Sequence, residues 1–178
     1  MSRPAGDPGT VHDRSTEFVI RKPTVEDGAA MWGLVRGLDD LEENTLYAYL
    51  LFGRDFAETC RVAEGVHGIR GLVVGYRPPP RPDTLFVWQV GVHPEAQRRG
   101  LGARMILDVL AGGGEPRLRY VEATVAEGNL PSRNLFEGLA RRGDVECAVS
   151  EGFTSRHFYP QEHAPELRFR IGPFRRNS

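Results

Sequence analysis

The sequence predicts an α/β (α+β) fold around a mixed sheet, and three observations carry that expectation. Strand-like and helix-like periodicities interleave in the order β-α-α-β-β-β-α-β-α-β-β. The run TLFVWQVGV (84–92) is apolar almost throughout, the pattern of an interior strand covered on both faces. A turn rich in glycine and arginine then leads into a helix over 100–111.

The elements follow in chain order. FVIRKP (18–23) alternates as a strand and stops at Pro23. Thr24 caps the next helix, with Glu26 and Asp27 in its positive first turn and Met31, Trp32, Leu34 and Val35 on its apolar side. Asn44 opens a second helical piece, TLYAYLLF (45–52), which ends near Gly53. ETCRVAE (58–64) and IRGLVVGYR (69–77) form a hairpin around a Gly65–Gly68 turn. PPPRPD (78–83) is a stiff exposed connection, because proline cannot continue a central strand. Helix 100–111 carries Leu101, Met105, Ile106, Val109 and Leu110 on one side and ends at GGG (112–114). YVEATVA (120–126) is a strand, and Pro131 begins a helix that runs to about Arg142. DVECAV (144–149) and ELRFRI (166–171) are late strands around a polar, histidine-containing segment.

The chain of 178 residues suits one domain, expected over 16–174. A disordered lead-in is expected at 1–15 and a frayed tail at 175–178, from their Pro, Gly, Ser and charge content. The net charge of -1 excludes a domain-wide nucleic-acid footprint. Two distant cysteines, Cys60 and Cys147, make neither a disulfide framework nor a zinc ligand set. No metal is expected, and reduced thiols fit a cytoplasmic protein. No apolar run is long enough to span a membrane, and the N-terminus carries no apolar segment that could act as a secretory signal.

Gln97-Arg98-Arg99-Gly100-Leu101-Gly102 is the stretch with the clearest chemistry. Backbone N–H groups at a helix start have no partner inside the helix, and with the dipole they attract anions. Glycine lets the backbone curl and a ligand approach closely, and arginine adds forked donors suited to phosphate. These residues compose a pyrophosphate cradle; an ordinary turn with solvated arginines is the alternative. No Lys follows the glycines, which excludes a P-loop. A Rossmann fingerprint fails on its third glycine, since Met105 stands there, and on the HPEAQRR insertion after the strand.

VGVHPEAQRRGLGARMI resembles motif A of the GCN5-related N-acetyltransferases (GNAT), an apolar strand, then V-x-P, then Q/R-x-x-G-x-G/A opening a helix. The resemblance implies a twisted, mostly antiparallel mixed sheet flanked by helices, with splayed central strands. It implies acetyl-CoA as co-substrate, its pyrophosphate on the turn amides of 97–102. Backbone groups of Gln89, Val90 and Val92 then pair with the pantetheine arm as with an added strand. Asn129 and Ser132 match positions near the cofactor, with helix capping as the alternative. Many members have a tyrosine in the second helix that protonates the leaving thiolate; Phe136 stands there in this chain and cannot donate a proton.

LEENTLYAYLLF (41–52), RPDTLFVWQVGVHPEA (81–96) and EHAPELRFRIGPF (162–174) closely resemble the L-2,4-diaminobutyrate acetyltransferases of ectoine biosynthesis. The likeness runs from about Phe18 to Phe174, with Glu42 in place of the family's Asp and Thr45 in place of its Ser. It implies transfer of acetyl to the γ-nitrogen of diaminobutyrate, in a homodimer, without nucleic-acid or membrane partners. The site must hold an α-ammonium, which calls for carboxylates. Glu42, Glu162 and Glu166 are the candidate acids, Asn44 and Tyr47 the polar partners, and Trp88 the wall. His163 and Glu166 are the candidate bases. Solvated loop charges are the alternative for the acids, and a core position for Trp88. The rival readings are an acetyltransferase acting on ornithine, lysine, a polyamine or a peptide, and a non-catalytic acyl-CoA module.

Overall fold

The computed structural model describes residues 18–38, 41–112 and 114–175, so the expected lead-in and the last three residues of the expected tail lie outside it. In chain order the elements are β1 (Val19–Arg21), α1 (Gly28–Arg36), α2 (Leu46–Arg54), β2 (Arg61–Gly65), β3 (Gly68–Tyr76) and β4 (Thr84–Val92). Then come α3 (Leu101–Gly112), β5 (Tyr120–Ala126), α4 (Leu130–Gly143), β6 (Cys147–Glu151) and β7 (Glu166–Ile171). The strands form one sheet in the order β1-β2-β3-β4-β5-β7-β6. Only the β4–β5 pair is parallel among the described residues; the others are antiparallel.

Strand alternation divides the core between the two faces of the sheet. Ala63, Val73, Leu85 and Val87 face α3 and α4, whose Met105, Ile106, Val109, Phe136 and Leu139 bury against them. Val62, Leu72 and Val74 face α1 and α2, meeting Met31, Val35, Tyr49 and Phe52. Leu101, Met105, Ile106, Val109 and Leu110 are all buried, as the α3 periodicity requires.

The first turn shows how local chemistry fixes an entry angle. Thr24 N–H donates to Asp27 Oδ2 at 2.7 Å, and Arg21 grips both Asp27 oxygens at 2.7 and 2.8 Å. These bonds hold the Asp27 carboxyl below its usual range and tie β1 to the start of α1. Residues 25–27 wind as a 3-10 turn before α1, so the acids precede that helix instead of lying in its first turn. α2 packs onto this turn at Gly53, where an added Cβ would stand 2.2 Å from the Thr24 carbonyl oxygen.

Two spans differ from their expected bounds and a third from its expected burial. Ala57–Thr59 make a 3-10 turn, which delays β2 to Arg61. Asp144 takes a left-handed conformation as the C-cap of α4, so β6 begins only at Cys147. β4 is not covered on both faces as its composition suggested: Trp88 is 47% exposed.

Two irregularities in β4 open the middle of the sheet. Val74 pairs with Gln89 and Gly75 with Val87, leaving Trp88 as the extra residue of a bulge. β4 and β5 pair only over Thr84–Phe86 and Tyr120–Glu122. Beyond those three pairs the two strands part, and this is the splay that the motif resemblance implied. At the closed end, buried Glu122 is paired with Arg170 on β7 and with Arg81 before β4. A buried carboxylate needs such partners, and here they bind β5, β7 and the proline-rich connection together.

Candidate active site

Two clefts flank the parting strands. The first, of ≈ 620 Å³, is lined by Leu38, Leu41, Val90, Val92, Gln97, Arg98, Gly100, Leu101 and Gly102 together with Asn129 and Ser132. The second, of ≈ 580 Å³, is lined by Glu42, Asn44, Trp88, Gln89, Phe136, Phe158, His163 and Glu166, among others. Leu41, Val90, Asn129 and Ser132 line both, so the clefts meet at these four residues.

The first cleft ends at the glycine turn. Arg98 has φ 59 and Gly100 has φ 67. Left-handed residues interspersed in a turn direct successive N–H groups to one side and make an anion-binding nest. Arg98 takes this conformation despite its side chain, a strain of the kind found at ligand-binding turns. Gly100 has no such penalty. An added Cβ at Gly102 would stand 3.3 Å from Val90 Cγ2, so glycine also lets α3 begin close against β4. The Gln97 side chain folds back, its Nε2 donating to the Val92 carbonyl at 3.1 Å. Arg99 points elsewhere: its guanidinium lies 5.9 Å from the Phe18 ring centroid and does not line the cleft.

Asn129 takes the capping role expected as the alternative, and it stands with Ser132 beside both clefts. Asn129 Oδ1 accepts the Ser132 N–H at 3.0 Å, capping α4, and both residues sit where the clefts join. Phe136, one turn further on, is buried against Phe169 with ring centroids 6.2 Å apart. Its edge of the second cleft is therefore apolar.

The second cleft brings distant segments together. His163 Nε2 lies 3.5 Å from Glu42 Oε1 and 3.8 Å from Glu166 Oε1. His163 Nδ1 is 2.6 Å from the Ala164 carbonyl oxygen. A carbonyl only accepts, so Nδ1 carries the hydrogen and Nε2 is the basic nitrogen of the neutral ring. The ring stacks on Phe158 at 3.9 Å, and Phe158 contacts Phe153 at 6.1 Å. This aromatic strap, 152–165, has no sequence periodicity that could announce it. Trp88 packs edge-on against Phe52 of α2, 5.2 Å between centroids, and presents its exposed part to the cleft.

Two expected residues are not brought here. Tyr47 is 65% exposed on α2 and lines neither cleft; residues two apart on a helix point in different directions, and it is Tyr49 that turns inward. Glu162 is exposed and lies outside both linings, because His163 takes the inward position in that segment. Tyr49 is fully buried, and burial pushes its phenol up. The hydroxyl is shared between Gln89 and Asn44, which partly opposes that shift. The described residues hold no cluster of His, Cys, Asp and Glu suited to a metal ion.

The arrangement offers a glycine turn with the form of an anion nest, adjoining a chamber with two carboxylates and an imidazole. Comparisons with known proteins identify the family. The sequence profile of the acetyltransferase (GNAT) family matches residues 31–140. The chain is 43% identical over 154 residues to an L-2,4-diaminobutyric acid acetyltransferase of Virgibacillus pantothenticus, covering 86% of this chain and 97% of that protein. It is 42% identical to the protein of that name from Streptomyces anulatus, over 90% of this chain and 93% of the relative. The fold superposes with a TM-score of 0.84 on a diaminobutyrate acetyltransferase from Paenibacillus lautus solved with L-2,4-diaminobutyric acid and coenzyme A. That structure is 35% identical, and the match covers 92% of this chain and 99% of the other.

Proposed function

The chain belongs to the acetyltransferase (GNAT) family and to its L-2,4-diaminobutyric acid acetyltransferase branch, and from that premise we propose that it acetylates the γ-nitrogen of L-2,4-diaminobutyrate with acetyl-CoA. The observation that carries this reading is the junction at Leu41, Val90, Asn129 and Ser132, with the anion nest on one side and the Glu42–His163–Glu166 group on the other.

The first cleft takes acetyl-CoA. The amides of 98–102 and Arg98 hold its pyrophosphate. Within the part of β4 that β5 leaves unpaired, the stretch from Gln89 to Val92 offers backbone groups to the pantetheine arm. The acyl group then reaches the junction. In the second cleft Glu42 and Glu166 hold the α-ammonium, Asn44 adds an acceptor, and Trp88 walls the chamber.

The γ-ammonium has an ordinary pKa of about 10.4 and has to lose a proton before it attacks. His163 Nε2, backed by Glu166, accepts that proton, directly or through water. The freed nitrogen bonds to the thioester carbon. A β4 backbone N–H stabilises the oxyanion, the C–S bond breaks with its electron pair leaving on sulfur, and the nitrogen gives up its second proton to water to become the neutral amide. Phe136 supplies no proton, so the thiolate departs unassisted from that helix; its ordinary pKa of about 8.5 makes it a competent leaving group.

Among the described residues no helix is long and apolar enough to cross a membrane, and both cysteines are free. With the family's chemistry, the free thiols support a cytoplasmic enzyme of compatible-solute (ectoine) synthesis that serves osmoadaptation. Half-exposed Val149 on the edge strand β6 supports a homodimer. Release of free CoA from acetyl-CoA in the presence of diaminobutyrate tests the activity, and the absence of acetylated product would refute it. Light scattering on the eluting protein tests the dimer.

A further inference from the structure

The chemistry above uses the backbone of Gln89, while its side chain has another setting. It is 6% exposed and faces the acceptor cleft. The bulge explains why. With Trp88 inserted, Trp88 and Gln89 both turn toward α2, where one meets Phe52 and the other Tyr49. Gln89 Oε1 accepts from the Tyr49 hydroxyl at 2.8 Å, and Gln89 Nε2 donates to the Glu42 carbonyl at 2.7 Å.

The segment 41–44 has neither helix nor strand to hold it. Its Leu41 N–H reaches back to Leu38 at 3.3 Å, and its Glu42 carbonyl rests on Gln89. Glu166 belongs to β7 and needs no such support. Glu42 does, because its carboxylate reaches His163 from a loop and is otherwise 84% exposed. A carboxamide is well suited to holding it, being one rigid neutral group that both accepts and donates.

We propose that Gln89 is the positioning residue of the acceptor site. Clamped between Tyr49 and the Glu42 carbonyl, it fixes segment 41–44 so that the Glu42 carboxylate faces His163 and the incoming ammonium. The inference rests on the acetyl-transfer reading above and names the residue that sets its acceptor affinity.

The test uses the full chain with Gln89→Met, Tyr49→Phe, Glu42→Gln and the Gln89→Met/Glu42→Gln pair, each checked for folding by thermal unfolding. KM for the amine, KM for acetyl-CoA and the calorimetric Kd for CoA are measured. Losing a buried hydrogen bond that orients a charged group raises the amine KM by about tenfold for Gln89→Met. The CoA Kd stays within about twofold, because the substitution leaves the β4 backbone intact. Tyr49→Phe moves the amine KM in the same direction by less. Glu42→Gln adds little on top of Gln89→Met, since a carboxylate no longer held in place has little left to lose. An unchanged amine KM, a parallel rise in CoA Kd, or full multiplication of the two effects each overturns the proposal. If Gln89→Met does not fold, Tyr49→Phe carries the same comparison, as it removes one hydroxyl only. A wild-type enzyme that ignores diaminobutyrate defeats the substrate reading instead; the clamp is then tested with whichever amine it accepts.

Discussion

His163 Nε2 lies 3.5 Å from Glu42 Oε1, which joins the loop before α2 to the strap before β7 across the acceptor cleft. Glu166 Oε1 stands 3.8 Å from the same nitrogen. With Nδ1 fixed on Ala164, Nε2 is the nitrogen to which the proposed mechanism gives the γ-ammonium proton. His163→Ala and Glu166→Gln are each expected to lower kcat at neutral pH by about 10²-fold, the usual range for a lost general base or its support. Steady-state rates with saturating acetyl-CoA check this. Normal turnover in both variants would mean that the base is elsewhere.

The glycine turn sets a second expectation. Gly102→Glu places a carboxylate where α3 meets β4 and where the nest collects negative charge. CoA affinity falls by more than about tenfold, from repulsion and lost amide contacts. Arg98→Ala weakens CoA more than Arg99→Ala does, because only Arg98 lines the cleft. Calorimetric titration of CoA into each variant decides the order; equal losses at both arginines would contradict it.

Stability in acid follows from Arg21 and Asp27. Their bonds lower the Asp27 carboxyl in the folded protein. A depressed carboxyl contributes stability above its ordinary pKa of 3.8, and that contribution disappears as pH falls through the lower folded value. Arg21→Ala is expected to cost about 1–2 kcal/mol at pH 7. The gap between wild type and variant should close in strong acid, below the ordinary carboxylate range. Urea unfolding at several pH values measures it, and a gap independent of pH would remove Asp27 from the account.

The two thiols should react at different rates. Burial pushes the Cys60 thiol up to about 12, and its Sγ lies 3.7 Å from the Gly75 carbonyl oxygen. Cys147 is partly exposed, with a smaller upward push. A thiol reagent at pH 8 is expected to label Cys147 in the native protein and Cys60 only after unfolding. Rapid labelling of both in the native state would contradict the burial of Cys60 in the core on the α1–α2 side of the sheet.

Much of this was legible in the sequence because periodicity reports burial. β4, β5 and β7 fall where their apolar runs place them, and α3 buries the side that its spacing marked. Motif A was legible because its spacing of Pro94, Gln97, Gly100 and Gly102 between a strand and a helix is specific, and the family match over 31–140 covers it. What stayed hidden depends on single-residue geometry. The bulge at Trp88 has no composition signal, yet it decides that Gln89 faces α2. The choice between Tyr47 and Tyr49 depends on the azimuth of a short helix, which apolar residues all along LYAYLLF leave undefined. Arg99 and Glu162 share a charge and a neighbourhood with residues that do line the clefts, and only their side-chain directions separate them. Phe158 stacking on His163 joins residues of a strap with no repeat at all.

The central claim is that this chain moves acetyl from acetyl-CoA to one nitrogen of one small diamino acid. The most direct measurement offers the enzyme acetyl-CoA with diaminobutyrate, ornithine, lysine and a polyamine separately, following CoA release and locating the acetyl group by NMR. The account predicts the highest kcat/KM with diaminobutyrate and acetylation at the γ-nitrogen. Preference for an amine without an α-carboxylate, or acetyl on the α-nitrogen, would contradict it.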